Sequence, residues 1–197
     1  MITKGISLIN FKLKKDLSSI NKNLKLILNE NNQILLSLGK KYKNSFFKKQ
    51  LKKYRSSSNF RIIGMGGSTL GTQAIYNFLN NKINKKFIFI DNLENYPKKD
   101  KKKNVNLIIS KSGNTIETIV NANVLIKKKD KNLFITEDKK NYLNLLAQKI
   151  KAEVIHHNNF IGGRYSVLSE VGMLPAELMG LKSNNFKQFN LLIKNKR

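Results

Sequence analysis

Hydrophobic residues near the start of the chain recur at the spacing of one helical face. The set is Leu17, Ile20, Leu24, Ile27 and Leu28. Positions three and four apart lie on the same side of a helix, so this spacing predicts a helix that begins near Asp16. A second helical stretch, over residues 34–38, is predicted to end at Gly39, because glycine often follows the last helical residue.

The next stretch, residues 40–54, is strongly basic and carries its large apolar side chains on one side. These side chains are Phe46, Phe47 and Leu51. We therefore predict that the whole of residues 1–57 forms an N-terminal helical region. The polar run at 55–59 is predicted to be a hinge, because the hydrophobic pattern changes after it.

From Phe60 onward, short apolar runs alternate with longer amphipathic ones. Strands are predicted at residues 60–63, 87–90, 105–109, 133–135 and 154–155, and helices at 69–79, 115–126, 142–150 and 167–179. Strands this short and this apolar suit a parallel sheet that is covered on both faces. The sequence thus predicts an α/β fold, a three-layer α-β-α domain with a five-stranded parallel sheet over residues 58–165. A helical connection follows at 166–197.

Composition excludes several classes of function. The chain has 197 residues and no cysteine, which rules out disulfide scaffolds, thiol catalysis and cysteine metal sites. It has two histidines, so no metal site is expected. No apolar run approaches the roughly 20 residues that a membrane-spanning helix needs, and no secretory signal is evident. We therefore expect a cytoplasmic protein without a membrane partner.

The net charge of +26 raises the question of nucleic-acid binding. Of the 38 basic residues, the arginines are Arg55, Arg61, Arg164 and Arg197, and the others are lysines spread along the whole chain. Arginine is the residue that reads guanine edges, and a dedicated surface would concentrate the charge. Lys enrichment together with heavy use of Asn, Ile and Phe indicates compositional drift on solvated surfaces, so no specific nucleic-acid partner is expected.

A glycine-rich run, Gly64-Met-Gly-Gly-Ser-Thr-Leu-Gly71, lies between a predicted strand and a predicted helix. Glycines allow the backbone to turn sharply beside an anion, and the helix start offers unpaired N–H groups. A dinucleotide fingerprint would need glycine at Thr69, and a P-loop would need lysine at Thr72. Both motifs therefore fail. An anion-binding turn and a merely tight strand-to-helix turn remain as alternatives.

A second polar run, Ser110-Lys-Ser-Gly-Asn-Thr-Ile-Glu-Thr118, also joins a strand to a helix. The hydroxyls of Ser110, Ser112 and Thr115 can converge on one anion. Asn114 followed by Glu117 also resembles a capping box, in which polar side chains serve only the helix start. Three hydroxyls beside a glycine favour a phosphate-sized site over capping alone.

A third run, Gly162-Gly-Arg-Tyr-Ser166, follows the fifth predicted strand. Arg164, held by a diglycine turn at the same sheet edge, is suited to stabilise an oxyanion; the alternative is a surface arginine beside a flexible turn. His156 and His157 precede this run. Adjacent residues on a strand point to opposite faces, so these histidines are predicted to be structural.

Together, the three runs resemble the sugar isomerase (SIS) domain, and more closely the phosphoglucose isomerase family. The SKSGNT loop is general to such domains, whereas GGS-x-LG at 66–71 and GGRYSVLSEVGMLPAEL from Gly162 are particular to the family. The resemblance spans residues 60–181. It implies interconversion of glucose 6-phosphate and fructose 6-phosphate through a cis-enediolate, without a cofactor, by an enzyme that is expected to be a homodimer.

By this resemblance each motif residue has an expected role. Ser68, Ser110, Ser112 and Thr115 would hold the phosphate with the Lys111 backbone, Gly67 and Gly163 would line the substrate, and Arg164 would stabilise the enediolate. The family's catalytic Glu, ring-opening His and C-terminal Lys belong to a second domain, whose motifs do not occur in these 197 residues. Glu117 and Glu170 are the nearest carboxylates, and neither is assigned as the base. We therefore expect an incomplete isomerase that is inactive alone. The alternatives are another SIS-domain isomerase, such as a dual glucose/mannose enzyme, and a non-catalytic sugar-phosphate-binding module.

Overall fold

Five parallel strands form one sheet in the computed structural model, which describes residues 18–30, 32–93 and 104–188. They are β1 (Asn59–Gly64), β2 (Lys86–Ile90), β3 (Val105–Ile109), β4 (Lys131–Glu137) and β5 (Glu153–His157), in the order β2-β1-β3-β4-β5. Every residue of β3 is buried, as is every residue of β4 after the first. Such continuous burial is what a parallel sheet covered on both faces requires, and it confirms the predicted α/β fold.

Before β1 come α1 (Ser18–Asn29), α2 (Gln33–Ser37) and α3 (Lys52–Arg55). The later helices cover both faces of the sheet; they are α4 (Leu70–Phe78), α5 (Ile116–Leu125), α6 (Tyr142–Ile150) and α7 (Glu170–Leu178). One core lies between the sheet and α7, with α4 at its side and Leu51 and Tyr54 at its end. The other core lies between the sheet and α5 and α6, around Phe134 and Leu143. The result is a three-layer arrangement. Among the described residues, no helix is long and apolar enough to cross a membrane.

The predicted helix over residues 40–54 is wrong. Residues 40–51 form turns and irregular backbone, and α3 is only one turn long. Here tertiary contacts replace helical hydrogen bonds, because the Ser45 N–H donates to the Glu170 carboxylate at 3.1 Å. As a consequence, Leu51 is fully buried while Phe47 is 73% exposed. The earlier helix is confirmed as α1, although its predicted start at Asp16 lies outside the described residues.

The helix predicted over residues 167–179 also differs in the structure. A 3-10 helix covers Gly163–Leu168, and α7 begins only at Glu170. The residue between them, Ser169, has an extended backbone with ψ of −163°. This break lets the Gly163–Leu168 segment run against the Gly66–Ser68 turn before the buried helix begins, and that contact shapes the candidate site.

Candidate functional site

The glycine and hydroxyl runs meet where the strand order reverses. From β1 the chain moves to β2 on one side and then returns to β3 on the other side. In open parallel sheets, ligands bind beyond the carboxyl ends of the strands at such a reversal. The Gly64–Gly71 run leaves β1 there, and the Ser110–Thr118 run leaves β3 next to it. The fold therefore brings two runs that are distant in sequence to one point of the sheet edge.

A cleft of about 350 Å³ opens at this point. Its lining is Met65, Gly67, Ser68, Lys111, Ser112, Thr115, Glu137, Gly163 and Arg164. Every site residue that the sequence predicted lies in this lining except Ser110. Ser110 is buried, and its hydroxyl is hydrogen-bonded to that of Thr115. A volume of this size lies within the range of small-molecule pockets.

Hydroxyl groups of the second run face one another across its turn. The Ser110 and Thr115 hydroxyls share a hydrogen bond of 2.9 Å, and the Gly113 N–H donates to Ser110 Oγ at 3.2 Å. Gly113 has a φ of +68°, a left-handed backbone that favours glycine, and a Cβ there would lie 2.2 Å from the Asn141 side chain. This turn holds the hydroxyls together beside the cleft.

The capping-box alternative for Asn114 and Glu117 does not form in the structure. The residue that caps α5 is Thr115, and its hydroxyl makes no capping hydrogen bond. Asn114 Oδ1 instead accepts from the Tyr142 N–H at 2.9 Å, at the start of α6. The Thr115 hydroxyl is therefore not used by the helix and remains in the cleft lining.

The first and third runs are in direct backbone contact. A Cβ on Gly67 would lie 2.2 Å from the Gly163 carbonyl oxygen, so only glycine fits at this approach. The Ser166 hydroxyl stabilises this contact, because it lies within hydrogen-bond distance of both carbonyl oxygens, 2.7 Å from that of Gly163 and 3.3 Å from that of Gly67. The turn that carries Arg164 is thereby fastened to the glycine-rich turn after β1.

Arg164 stands at the mouth of the cleft. Its side chain is exposed and lines the cavity. Within residues 18–30, 32–93 and 104–188, its guanidinium has no hydrogen-bond or ion-pair partner. A guanidinium is permanently charged and offers five N–H donors, so this position can receive an anionic group from a ligand.

Sequence reasoning missed Glu137, which also lines the cleft. It ends β4 and is 7% exposed, with one carboxylate oxygen 3.2 Å from Lys111 Nζ and the other 3.0 Å from Lys139 Nζ. Burial by itself would raise the pKa of Glu137, but hydrogen bonds from Lys139 and Lys111 outweigh it and lower the pKa below the ordinary value. Its place at the carboxyl end of a predicted strand is the sequence signal that could have identified it.

The two histidines lie on opposite faces, as predicted. His156 is exposed, whereas His157 is buried between the Glu170 carboxylate at 3.4 Å and the Ile161 carbonyl at 3.2 Å. Neither lines the cleft. In the part of the chain that the structure describes, no three His, Asp or Glu side chains are grouped as metal ligands.

A second, smaller hollow of about 180 Å³ lies at the other edge of the sheet, where β4 and β5 begin. Its charged side chains include Lys53 and Glu153, which pair at 2.7 Å. None of the three glycine and hydroxyl runs reaches it, so we regard the larger cleft as the candidate site.

Comparison with known proteins gives consistent matches. The family model described as phosphoglucose isomerase matches residues 50–194. A glucose-6-phosphate isomerase of Methanocaldococcus jannaschii is 35% identical in an alignment of length 156 that covers 71% of this chain and 38% of that protein. One of Acholeplasma laidlawii is 36% identical in an alignment of length 142 that covers 61% of this chain and 33% of that protein. The chain thus spans only about a third of the length of these relatives.

Solved structures share the fold at lower identity. A hypothetical protein of Thermus thermophilus superposes with a TM-score of 0.68 and 24% identity, over 85% of this chain and 45% of that one. The tagatose-6-phosphate ketose/aldose isomerase of Escherichia coli superposes with a TM-score of 0.51 and 16% identity, over 71% and 44%. At these identities the likeness concerns the fold alone.

Proposed function

The chain belongs to the phosphoglucose isomerase family, and we propose on that premise that its cleft binds hexose 6-phosphates for the interconversion of glucose 6-phosphate and fructose 6-phosphate. In this proposal residues 58–165 form the sugar-phosphate-binding domain, residues 1–57 its N-terminal region and residues 166–197 a connection to further structure. Homodimer formation and a cytoplasmic location belong to the same proposal.

The observation that carries the proposal is the convergence of three runs on one cleft. Ser68, Ser112 and Thr115 offer hydroxyl groups from two neighbouring turns, and Ser110 lies behind them. Hydroxyl and backbone N–H donors at a strand-to-helix turn are the usual ligands of a phosphate group. The Thr115 hydroxyl supports this role most directly, because helix capping does not use it.

Arg164 supplies the charge that isomerisation requires. Moving a proton between C1 and C2 of an open-chain sugar phosphate passes through an enediolate, whose negative charge lies on oxygen. A guanidinium that is free of protein partners among the described residues, at the cleft mouth, is suited to receive that charge. We propose that Arg164 stabilises the enediolate while Gly67 and Gly163 leave room for the sugar.

The phosphate site is tested by removing one hydroxyl without changing the shape of its side chain. We expect Thr115→Val to weaken the binding of inorganic phosphate about tenfold, because a hydrogen bond to a charged group contributes roughly 1.5–3 kcal/mol. Thr118→Val is the matched control. Thr118 lies one turn further along α5, and its buried hydroxyl has no hydrogen-bond partner among the described residues. Equal calorimetric affinities for the two variants would contradict the assignment of Thr115.

The role of Arg164 is tested with an anion that resembles the enediolate. A phosphorylated aldonate carries a planar carboxylate at the position of the enediolate oxygens, and transition-state analogues bind more tightly than substrates. We expect Arg164→Ala to weaken aldonate binding more than inorganic phosphate binding, measured by calorimetry. An equal loss for both ligands would assign Arg164 to phosphate binding instead.

Turnover requires a general base, and the described residues offer no suitable one. Glu137 is the carboxylate in the cleft lining, and its lowered pKa makes it a weak proton acceptor. We therefore propose that the 197-residue chain binds sugar phosphate but turns it over slowly. A coupled assay that follows fructose 6-phosphate formation checks this, and turnover at a rate typical of enzymes would contradict it.

The same observation favours a second candidate, a sugar-phosphate-binding module that performs no isomerisation. Both candidates predict binding in the cleft. They separate when the aldonate and glucose 6-phosphate are compared on Arg164→Ala. The isomerase should lose more affinity for the aldonate, whereas a binding module has no reason to prefer the enediolate-like ligand and should lose both affinities equally. A different SIS-domain isomerase would instead show its preference in the relative affinities of glucose 6-phosphate and mannose 6-phosphate.

A further inference from the structure

Glu137 lines the cleft, and its carboxylate is not one of the proposed phosphate-binding groups. Two interactions with Lys111 hold Glu137 in place. Its backbone N–H donates to the Lys111 carbonyl at 3.1 Å, and its carboxylate pairs with Lys111 Nζ at 3.2 Å. Lys111 Nζ also donates to the Asn159 carbonyl at 2.8 Å, which ties this pair to the loop after β5. The carboxylate is therefore fixed before any ligand arrives.

The two lysines occupy only part of what this carboxylate can accept. Each carboxylate oxygen can take about two hydrogen bonds. One oxygen faces Lys111 and the other faces Lys139. Each oxygen can thus accept one more hydrogen bond, and a buried acceptor gains from being fully satisfied.

The surrounding charge decides which donor fits. Lys111 and Lys139 place two positive charges beside the single negative charge of Glu137, and Arg164 adds another positive charge to the cleft lining. An anionic ligand is therefore accepted in the cleft despite the carboxylate. The part of the ligand next to Glu137 cannot be phosphate oxygen, since that atom is itself a charged acceptor. It must carry O–H or N–H donors.

We propose that Glu137 accepts a hydrogen bond from a sugar hydroxyl, and that this contact makes the cleft select polyhydroxylated phosphates over inorganic phosphate. The inference rests on the proposed function, because it assumes that the hydroxyl run beside Glu137 holds the phosphate. Glu137 then defines the sugar end of the cleft, and Lys111 is a positioning residue that acts through it. A fixed acceptor of this kind adds selectivity at little entropic cost.

The test compares two ligands on three forms of the 197-residue chain. Glucose 6-phosphate and inorganic phosphate are titrated calorimetrically into the wild type, Glu137→Gln and Asp138→Asn. Asp138 is the matched control, because it is the next residue, undergoes the same change in charge and has a side chain that is 79% exposed. Unfolding temperatures of all three forms check that the fold is kept.

We expect Glu137→Gln to weaken glucose 6-phosphate binding about tenfold, which is the effect of losing one hydrogen bond to a charged acceptor. Inorganic phosphate should bind as well as before or more tightly, because the cleft has lost a negative charge. This opposite response is the signature of hydroxyl recognition, since a change in overall charge would move both affinities in the same direction. Asp138→Asn should leave the ratio of the two affinities unchanged.

Two outcomes would overturn the inference while leaving the phosphate site intact. One is an equal loss of affinity for both ligands in Glu137→Gln, which would mean that Glu137 only supports the loops. The other is an unchanged affinity for both. If Glu137→Gln does not fold, the wild type is titrated with analogues of glucose 6-phosphate that each lack one hydroxyl, and affinities equal to that of the parent sugar phosphate overturn the inference. Failure of the wild type to bind either ligand would refute the phosphate site as well.

Discussion

Replacement of Gly67 by alanine tests how the cleft is assembled. The new Cβ would lie 2.2 Å from the Gly163 carbonyl oxygen and 2.9 Å from the Arg164 nitrogen, whereas ordinary contact begins at 3.4 Å. Both neighbouring atoms belong to the backbone, so no side chain can rotate away. The two turns must separate by about 1.2 Å, the difference between 3.4 and 2.2 Å.

Such overpacking of a well-packed contact costs about 1–3 kcal/mol. For a chain of this length, each kcal/mol corresponds to roughly 2–4 °C in the unfolding temperature. We therefore expect Gly67→Ala to unfold several degrees below the wild type. Because the displaced turn carries Arg164, the variant should also bind glucose 6-phosphate more weakly.

Gly163→Ala is the matched control for stability. The same methyl group placed on the other side of the contact meets no atom within 4 Å. We expect its free energy of unfolding to stay within about 0.5 kcal/mol of the wild type. Urea unfolding of both variants and the wild type measures these free energies. Equal destabilisation of the two, or none in either, would refute the conclusion that backbone contact at Gly67 holds the turns together.

Two further predictions concern the buried polar cluster between the N-terminal region and α7. Glu170 accepts hydrogen bonds from the Tyr42 hydroxyl and the Ser45 N–H, and it faces His157. Burial by itself would raise the pKa of Glu170, but these partners outweigh it and lower the pKa. Because its folded pKa is depressed, its stabilisation is present above the unfolded pKa and is lost as the pH falls through the folded value. Glu170→Gln should lower the free energy of unfolding by about 3 kcal/mol at pH 7, and the variant should lose less stability than the wild type as the pH falls. Urea unfolding at several acidic pH values measures this, and an equal loss in both proteins would contradict it. Burial lowers the pKa of Lys187 to about 8, so the unfolded chain holds more protons above that pH and stability should rise from pH 8 towards pH 10. Lys187→Met should abolish this rise, and a rise equal to that of the wild type would exclude Lys187 as its source.

Local sequence determined the repeating units of this protein. The strands around Phe60 and Leu107 and the helices that follow them could be predicted, because apolar periodicity and glycine placement act over a few residues. The same local signals located the three runs that meet in the cleft. That the runs meet also followed from sequence, because parallel strands carry their carboxyl ends to one edge.

Tertiary structure alone decided how these units contact one another. It placed Glu137 in the cleft lining, brought Gly67 into backbone contact with Gly163, and gave Asn114 a hydrogen-bond partner at the start of α6. It also kept residues 40–51 from forming a helix, because Glu170 offered the Ser45 N–H a better partner than a helical carbonyl. Each of these choices joins segments far apart in the chain. A polar group forms hydrogen bonds with the partners that folding brings close to it, and the residues next to it in sequence do not specify those partners.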